Sequence, residues 1–294
     1  MQRIHGHTHD LGDGFMVRRM LPSAERRAIG PFVFLDHFGP TVLPPGQPMD
    51  VRPHPHIGLA TVSYLWEGRI EHKDSLGSVQ LIEPGAVNWM ISGRGIVHSE
   101  RTAADDRGHE MPMHGLQFWV ALPAGHAEDA PSFTHVPADA LPRLHLDGAD
   151  VRVVAGNAFG ERSPVPVASP TCYLDIHLDD GADLPLPREH EQLAVYVIDG
   201  SLALGDEALD TGTMLVLDDG ETPRATQDSH VVVFGGAALD GPRLLWWNFV
   251  ARDEARLEQA RDDWNADRLG HVEGDPERIP LPGKSRPSTL LQPD

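Results

Sequence analysis

The sequence predicts an all-β fold made of two β-barrel domains and one short C-terminal helix. Glycine and proline are abundant, at 29 and 26 of 294 residues, which favours short elements joined by tight turns over long helices. Short β-rich runs recur at intervals of about 8 to 12 residues, the spacing typical of sandwiches and barrels. The length is near the limit of roughly 250 to 300 residues that a single core reaches, so two domains are expected.

The first half of the chain contains the runs predicted to form the first barrel. Turn residues such as Glu67-Gly68 and Pro84-Gly85 separate them. The last run, LQFWVAL, is apolar throughout and predicts a buried strand. The predicted strands are 61–66, 69–73, 79–82, 87–91, 96–100 and 116–122.

A connector with four prolines, residues 123–142, separates the two halves. We therefore expect a first domain at 1–130 and a second at 131–294. The second half repeats the rhythm of the first, with turns at Asp199-Gly200 and Asp210-Thr211-Gly212. Its predicted strands are 151–155, 173–178, 193–198, 214–217 and 231–234.

The end of the chain predicts a helix followed by a tail. Leu257, Ala260 and Trp264 lie at i, i+3 and i+7 within 253–269, which is amphipathic helix spacing. We expect this helix to pack against a barrel. Beyond Gly270 the polar, proline-rich segment lacks periodicity, so an extended or mobile tail is expected.

Charge and composition argue against several partners. The net charge of −20 should repel nucleic-acid phosphates and anionic lipids, so neither direct nucleic-acid binding nor membrane binding is expected. No apolar run is long enough to span a membrane, and the N-terminus lacks a signal-peptide pattern. Cys172 is the single cysteine and cannot form an internal disulfide. These features favour the cytoplasm.

Two pairs of residues predict a metal site in the first barrel. His54 and His56 are two residues apart, as are His98 and Glu100, and side chains at i and i+2 of a strand point to the same face. About four predicted strands separate the pairs, enough for a barrel wall to bring them together. Three imidazoles and one carboxylate suit one divalent transition-metal ion with open coordination positions.

Long stretches of the chain resemble the pirin family of bicupins. The most specific are HPHIGLATVSYLWEGRIEHKDSLG at 54–77 and IEPGAVNWMISGRGIVHSER at 82–101. Shorter ones are GPFVFLDHFGP, HGLQFWVALP and, near the end, GPRLLWWNFV. The resemblance covers nearly the whole chain and implies two jelly-roll barrels.

The resemblance also implies a ligand set and a metal. The His-x-His and His-x-Glu pairs of pirins hold iron, so His54, His56, His98 and Glu100 are the expected ligands. Fe(II) is favoured, and nickel, copper, cobalt, manganese or zinc are the alternatives. The second pirin domain normally lacks metal, and the second half of this chain has no such pair among its histidines, which are His177, His190 and His230.

One position departs from the family pattern. Ala60 stands where many pirins place a glutamate a few residues after His56. The change should leave the metal site intact but removes one hydrogen bond near it, which puts the substrate preference in doubt.

Other candidate site residues have simpler interpretations. His5, His7 and His9 alternate near the N-terminus and could chelate a metal, but a solvated strand explains them better. His114 is either a group beside the pocket or a satisfied core histidine, and the sequence favours neither. Core packing is the default for Cys172 and for the strand tryptophans, Trp66, Trp89 and Trp119.

Family resemblance implies two functions of different classes. Some pirins have quercetin 2,3-dioxygenase activity, so the enzyme hypothesis takes a flavonol and O₂ as substrates, with Glu100 as a ligand or a general base. The family also includes transcription cofactors and modulators of metabolic enzymes, which implies a metal- or redox-dependent regulator with a protein partner. The intact ligand set argues against a third class, a storage or scaffold protein.

Overall fold

The computed structural model describes residues 2–10, 15–218, 220–283 and 287–289. The chain forms two compact units. The first unit contains Thr8–Arg19, Val33–Ala138 and Leu239–Asp294, and the second contains Met1–His7, Met20–Phe32 and Asp139–Ala238. Each unit is therefore assembled from three separate segments of the chain. The domain limits expected from the sequence, 1–130 and 131–294, stay a prediction.

Antiparallel strands dominate the described residues. The strands up to residue 136 are β1 (Gln2–His5), β2 (His7–Asp10), β3 (Met16–Leu21), β4 (Phe32–Leu43), β5 (Asp50–His56), β6 (Leu59–Glu67), β7 (Ile70–Asp74), β8 (Val79–Ile82), β9 (Val87–Ile91), β10 (Ile96–Arg101), β11 (Met111–Ala121) and β12 (Ser132–Val136). Short 3₁₀ helices lie at Ala104–Asp106 and Ala138–Ala140.

The remaining strands follow in the second half. They are β13 (Arg143–Leu146), β14 (Ala149–Ala158), β15 (Glu161–Arg162), β16 (Thr171–Leu178), β17 (Gln192–Asp199), β18 (Ser201–Leu204), β19 (Glu207–Asp210), β20 (Thr213–Leu217), β21 (Arg224–Ala225), β22 (Ser229–Gly236), β23 (Leu244–Trp246), β24 (Phe249–Ala251) and β25 (Ser288–Thr289). The one α-helix in the described part of the chain, α1, spans Glu254–Asn265.

The first unit contains a seven-stranded sheet of order β12-β9-β6-β11-β4-β3-β2 and a four-stranded sheet of order β5-β10-β7-β8. These sheets have open edges, as in a jelly roll, so this barrel is not one closed ring of strands. The predicted all-β bicupin class is confirmed. Every strand predicted between 61 and 122 is present, with ends that move by a few residues.

One edge of the four-stranded sheet is formed by β5, which carries Pro53 and Pro55. Proline has no N–H to donate, so within sheets it is found mainly on edge strands, near strand starts or at bulges. The C-terminal part of the chain covers this edge: the Ile279 N–H donates to the Pro53 carbonyl at 2.8 Å, and the Val250 N–H donates to the Ile57 carbonyl at 3.1 Å. An edge that would otherwise be open to other chains is thereby occupied.

Gly58 permits this close approach. Its φ is +68°, and an added Cβ would lie 2.1 Å from the Val250 carbonyl oxygen. Both the left-handed backbone and the lack of space therefore require glycine here.

The second unit is built on a sheet of order β1-β20-β17-β22-β16-β14-β13, in which β15 also pairs with β14. A smaller sheet has the order β19-β18-β21. On β16 alternate residues enter the core, namely Cys172, Leu174, Ile176 and Leu178. Cys172 is fully buried, as expected for a small hydrophobe, and burial raises the pKa of its thiol far above the usual range.

The helix forms where the spacing predicts it, and the same three residues are buried: Leu257, Ala260 and Trp264. Asp253 caps its start by accepting a hydrogen bond from the Arg256 N–H at 2.9 Å. Within the first unit the apolar face of the helix packs against Ile57, which directly follows β5, and Val97 of β10.

The segment after the helix is extended and packed. Asp275 accepts two hydrogen bonds from the Arg101 guanidinium, both at 2.7 Å, and the Trp264 Nε1–H donates to the Ile279 carbonyl at 3.1 Å. The predicted tail beyond 289 lies outside the described residues. None of the helices in the described ranges combines the length and apolar character needed to cross a bilayer.

Candidate metal centre

Three histidines of the first unit converge on one point. His54 and His56 lie on β5 and His98 lies on β10, and one ring nitrogen from each is within 4.8 Å of the others. Their ring centroids are 4.4 Å apart for His54 and His98, and 5.0 Å apart for the other two pairs. The ladder places His98 directly opposite His54, and alternation along β5 brings His56 to the same face.

Backbone carbonyls orient two of these rings. The His54 Nδ1 lies 2.8 Å from the Arg52 carbonyl oxygen, and the His56 Nδ1 lies 3.1 Å from that of Asn248. A carbonyl oxygen can only accept, so each Nδ1 carries the proton and donates it. The Nε2 lone pairs of His54 and His56 are therefore available to a metal ion.

The third ring has an unsatisfied nitrogen. The His98 Nε2 is buried and has no hydrogen-bond partner among the residues that the structure describes. Leaving such a group unsatisfied costs about 1–3 kcal/mol, and a bound cation would remove that cost. The donor set and this orphaned nitrogen fit a divalent transition metal.

Burial keeps all three imidazoles neutral. Desolvation is the largest cause that lowers the pKa of His54, and it lowers the pKa of His56 and His98 well below the usual value. For His54 the Arg52 carbonyl and the Glu100 charge oppose this effect in part. Metal binding needs deprotonated ligands, so the fold supplies the histidines in the required form.

Glu100 lies beside this group, outside the set of converging ligand atoms. Its Oε1 accepts a hydrogen bond from the Ser63 hydroxyl at 2.8 Å, and its Oε2 accepts one from the Gln117 amide at 2.7 Å. The ladder with β5 shifts register between His98 and Glu100, with the extra residue on β5, whereas β10 pairs regularly with β7 through both residues, so Glu100 keeps the face of His98. The role of Glu100 as a ligand or base stays a prediction.

Packing explains two of the strand tryptophans, as expected. Trp89 and Trp119 are buried. Trp119 stacks on Phe34 with ring centroids 4.0 Å apart and also meets the His56 ring edge-on at 5.1 Å. It therefore forms part of the apolar wall beside the histidines.

His114 belongs to a different cluster. Its Nε2 lies 2.9 Å from the Nε2 of His37, and its ring centroid is 4.7 Å from that of Trp66. These contacts support the interpretation of His114 as a satisfied, partly buried histidine.

The second unit contains a group that the sequence pattern did not reveal. Asp175 and His177 of β16 meet His230 of β22, with ligand atoms within 4.8 Å of one another. The His230 Nε2 is 2.6 Å from the Asp175 carboxylate, and the two imidazoles stack with centroids 4.1 Å apart. His177 is exposed. The two histidines are far apart in sequence, so only the register of β16 and β22 brings them together.

The remaining histidine candidates stand apart from both groups. His5 and His7 are exposed on β1 and β2, and so is His9, which agrees with a solvated strand. The His190 Nε2 lies 2.8 Å from the Asn157 carbonyl oxygen.

Several residues near the site were missed from the sequence. Ser63 and Gln117 carry no motif, and the Asn248 carbonyl is a backbone group that any residue would supply. His72 and Asp74 form an alternating pair on β7 inside the quoted EHKD segment, so their spacing could have drawn attention to them.

Comparisons with known proteins identify a family for the chain. The sequence profile of the family described as Pirin matches residues 14–120, and that of the Pirin C-terminal cupin domain matches residues 173–270. A pirin-like protein of Caulobacter vibrioides is 46% identical over 93% of this chain and 96% of its own length. Human pirin is 32% identical over 88% of this chain and 89% of its own length.

A solved structure is also closely similar. The crystal structure of quercetin 2,3-dioxygenase from Acinetobacter baumannii superposes with a TM-score of 0.86 and is 37% identical, covering 97% of both chains. Profiles, relatives and fold point to the same assignment. The chain belongs to the pirin family.

Proposed function

We propose that this protein is a metal-dependent oxygenase that opens a flavonol ring with O₂, as a quercetin 2,3-dioxygenase does. The observation that supports it most is the buried group of three neutral imidazoles, His54, His56 and His98, with one orphaned nitrogen. The Acinetobacter relative carries the name of this activity at 37% identity.

The three histidines would hold one divalent ion, for which we propose Fe(II), with nickel, copper, cobalt, manganese and zinc as alternatives. The ion would supply Lewis acidity and open coordination positions for oxygen ligands. The Nδ1–H groups of His54 and His56 are held by main-chain carbonyls, so these rings are oriented before any ligand arrives.

Glu100 is the proposed proton acceptor. It is buried, and the donors that reach it, the Ser63 hydroxyl and the Gln117 amide, fix both carboxylate oxygens. A carboxylate held in this way can take the proton of the flavonol 3-hydroxyl as the ring opens. Direct coordination of the ion by Glu100 is the other role that we propose to test.

The overall reaction balances without a further reductant. One flavonol and one O₂ give a ring-opened ester that retains both oxygen atoms, and the carbon that bore the 3-hydroxyl leaves as carbon monoxide. Buried aromatic and aliphatic residues beside the histidines, including Trp119 and Phe34, would keep water away from the reacting groups. The flavonol preferred by this chain is expected to depend in part on Ala60, which is buried on β6.

The test is anaerobic reconstitution with Fe(II), followed by addition of O₂ and quercetin. We expect loss of the flavonol absorbance together with release of carbon monoxide. The matched control carries His54→Gln and His98→Gln, which remove two of the converging nitrogens. A metal-loaded protein that consumes no flavonol would overturn the enzyme proposal in favour of a regulator that acts on a protein partner. For either function we propose a cytoplasmic location.

A further inference from the structure

A buried chain of side chains leads from the third histidine away from the metal centre. His72 and Asp74 lie on β7, which pairs with β10, and both are almost fully buried. The His72 Nε2 is 3.0 Å from the Asp74 carboxylate, and the His72 Nδ1 is 3.4 Å from the Nδ1 of His98. The order is therefore Asp74, His72, His98.

The protons in this chain follow from the acceptors. The Asp74 carboxylate can only accept, so the His72 Nε2 carries a proton and the Nδ1 of a neutral His72 has a lone pair. That lone pair faces the His98 Nδ1, which must then be the protonated nitrogen of His98. The lone pair of His98 is left on Nε2, the nitrogen that has no protein partner among the described residues.

Asp74 and His72 are themselves held in place. The other oxygen of Asp74 accepts the backbone N–H groups of Leu76 at 2.8 Å and Ser78 at 3.1 Å. The His72 ring stacks on Phe133 with centroids 4.3 Å apart and an interplanar angle of 14°. Neither group can turn without losing these contacts.

We propose that His72 and Asp74 are positioning residues, which hold His98 in the tautomer that presents Nε2 to the metal ion. This inference rests on the proposed metal site. His54 and His56 use main-chain carbonyls for the same purpose, so His98 is the ligand whose acceptor is a side chain that substitution can remove. Acceptors behind metal-bound histidines typically change metal affinity about 10-to-100-fold.

The experiment titrates the metal-free full chain with Co(II) and follows both calorimetry and the visible absorption bands of the bound ion. His72→Phe keeps the ring that stacks on Phe133 and removes both nitrogens. His72→Asn restores an acceptor close to the position of Nδ1. The matched control is His135→Phe on β12, the strand that carries Phe133, where the His135 Nδ1 bonds the Asn88 side chain at 2.7 Å.

We expect His72→Phe to weaken Co(II) binding about 10-to-100-fold and to alter the absorption bands. His72→Asn should recover most of the affinity, and His135→Phe should bind like the parent. If His72→Phe does not fold, His72→Gln serves instead, because its amide lies near Nε2 rather than Nδ1 and it should bind more weakly than His72→Asn.

The outcomes separate the two proposals. A parent protein that binds no Co(II) overturns the metal site and this inference with it. A parent that binds tightly, beside a His72→Phe protein that binds equally well with unchanged bands, overturns only the role of His72 and Asp74. Equal weakening by His72→Phe and His72→Asn would also overturn it, because the acceptor would then not be what matters.

Discussion

The two groups of clustered histidines in this protein differ in what their hydrogen bonds leave available. In the first unit the Nδ1 atoms of His54, His56 and His98 face acceptors, and the carboxylate of Glu100 stands outside the cluster. In the second unit the carboxylate is inside the cluster, where Asp175 bonds the Nε2 of His230. The first group is buried, whereas His177 of the second is exposed.

This difference indicates which cluster is better suited to a metal ion. Proximity alone does not distinguish the two groups, since each brings three ligand atoms within 4.8 Å of one another. A metal ion in the second unit would have to break an existing bond of 2.6 Å between His230 and Asp175. In the first unit an ion would instead satisfy a buried nitrogen that has no protein partner among the described residues.

The largest effect is expected in metal content. The parent chain should retain about one transition-metal ion, and joint His54→Gln and His98→Gln substitution should abolish retention because two of three converging nitrogens are lost. Joint His177→Gln and His230→Gln substitution should leave the content unchanged. Elemental analysis of the purified full-length variants measures this directly.

Full-length variants are needed because the first unit includes residues from 239 onwards. The opposite result would assign the metal to the second unit: the ion would be lost with the His177 and His230 substitutions and retained without His54 and His98.

The next effect concerns the carboxylate that stands outside the first cluster. Glu100→Gln keeps the size of the side chain but removes its charge and basicity. Flavonol turnover by the metal-loaded protein should fall by about 10² to 10⁴ if Glu100 is the general base. Metal affinity should fall by at most about 10-to-100-fold, because the three histidines remain. Steady-state turnover at matched metal occupancy is the measurement.

Turnover at the parent rate by metal-loaded Glu100→Gln would rule out the catalytic role. A loss of metal as severe as that of the double histidine variant would instead make Glu100 a ligand as important as the imidazoles.

A smaller effect should appear in the pH dependence of stability of the metal-free protein. Burial lowers the pKa of His54, His56 and His98 in the folded state, whereas unfolded histidines take up protons near their usual value of about 6.5. The unfolded state then binds more protons below about pH 6.5, so stability falls as the pH is lowered, by up to about 1.4 kcal/mol per pH unit for each histidine.

Denaturant unfolding between about pH 5 and about pH 8 tests this linkage. Replacing the three histidines with glutamine should flatten the curve. Partial desolvation, with the neighbouring His230, lowers the pKa of the largely exposed His177 as well, so the His177→Gln and His230→Gln variant should flatten the curve only slightly. Equal flattening by both sets would show that the second cluster is as strongly desolvated as the first.

Period-two patterns and turn residues made the strands between 61 and 122 predictable, as well as the face shared by His54 and His56. Helix spacing likewise identified the buried residues of α1. These features depend on local geometry, which the order of residue types carries directly.

Long-range pairing was not predictable in this way. The acceptor of His56 is a main-chain carbonyl, which leaves no trace in the sequence, and His177 meets His230 only through the register of two strands. The hydrogen bonds that hold Glu100 come from Ser63 and Gln117 on other strands, and alternation along β10 does not reveal them.

The carbonyl that orients His56 comes from Asn248, which lies 192 residues further along the chain. A ribosome that adds about 5 to 20 residues per second needs about 10 to 40 s to synthesise that interval. His56 therefore leaves the ribosome long before its acceptor exists, and the Ile279 contact that covers the edge of β5 arrives later still. The three histidines can therefore be oriented together only after residue 248 has been synthesised, so binding of the proposed ion would follow that point.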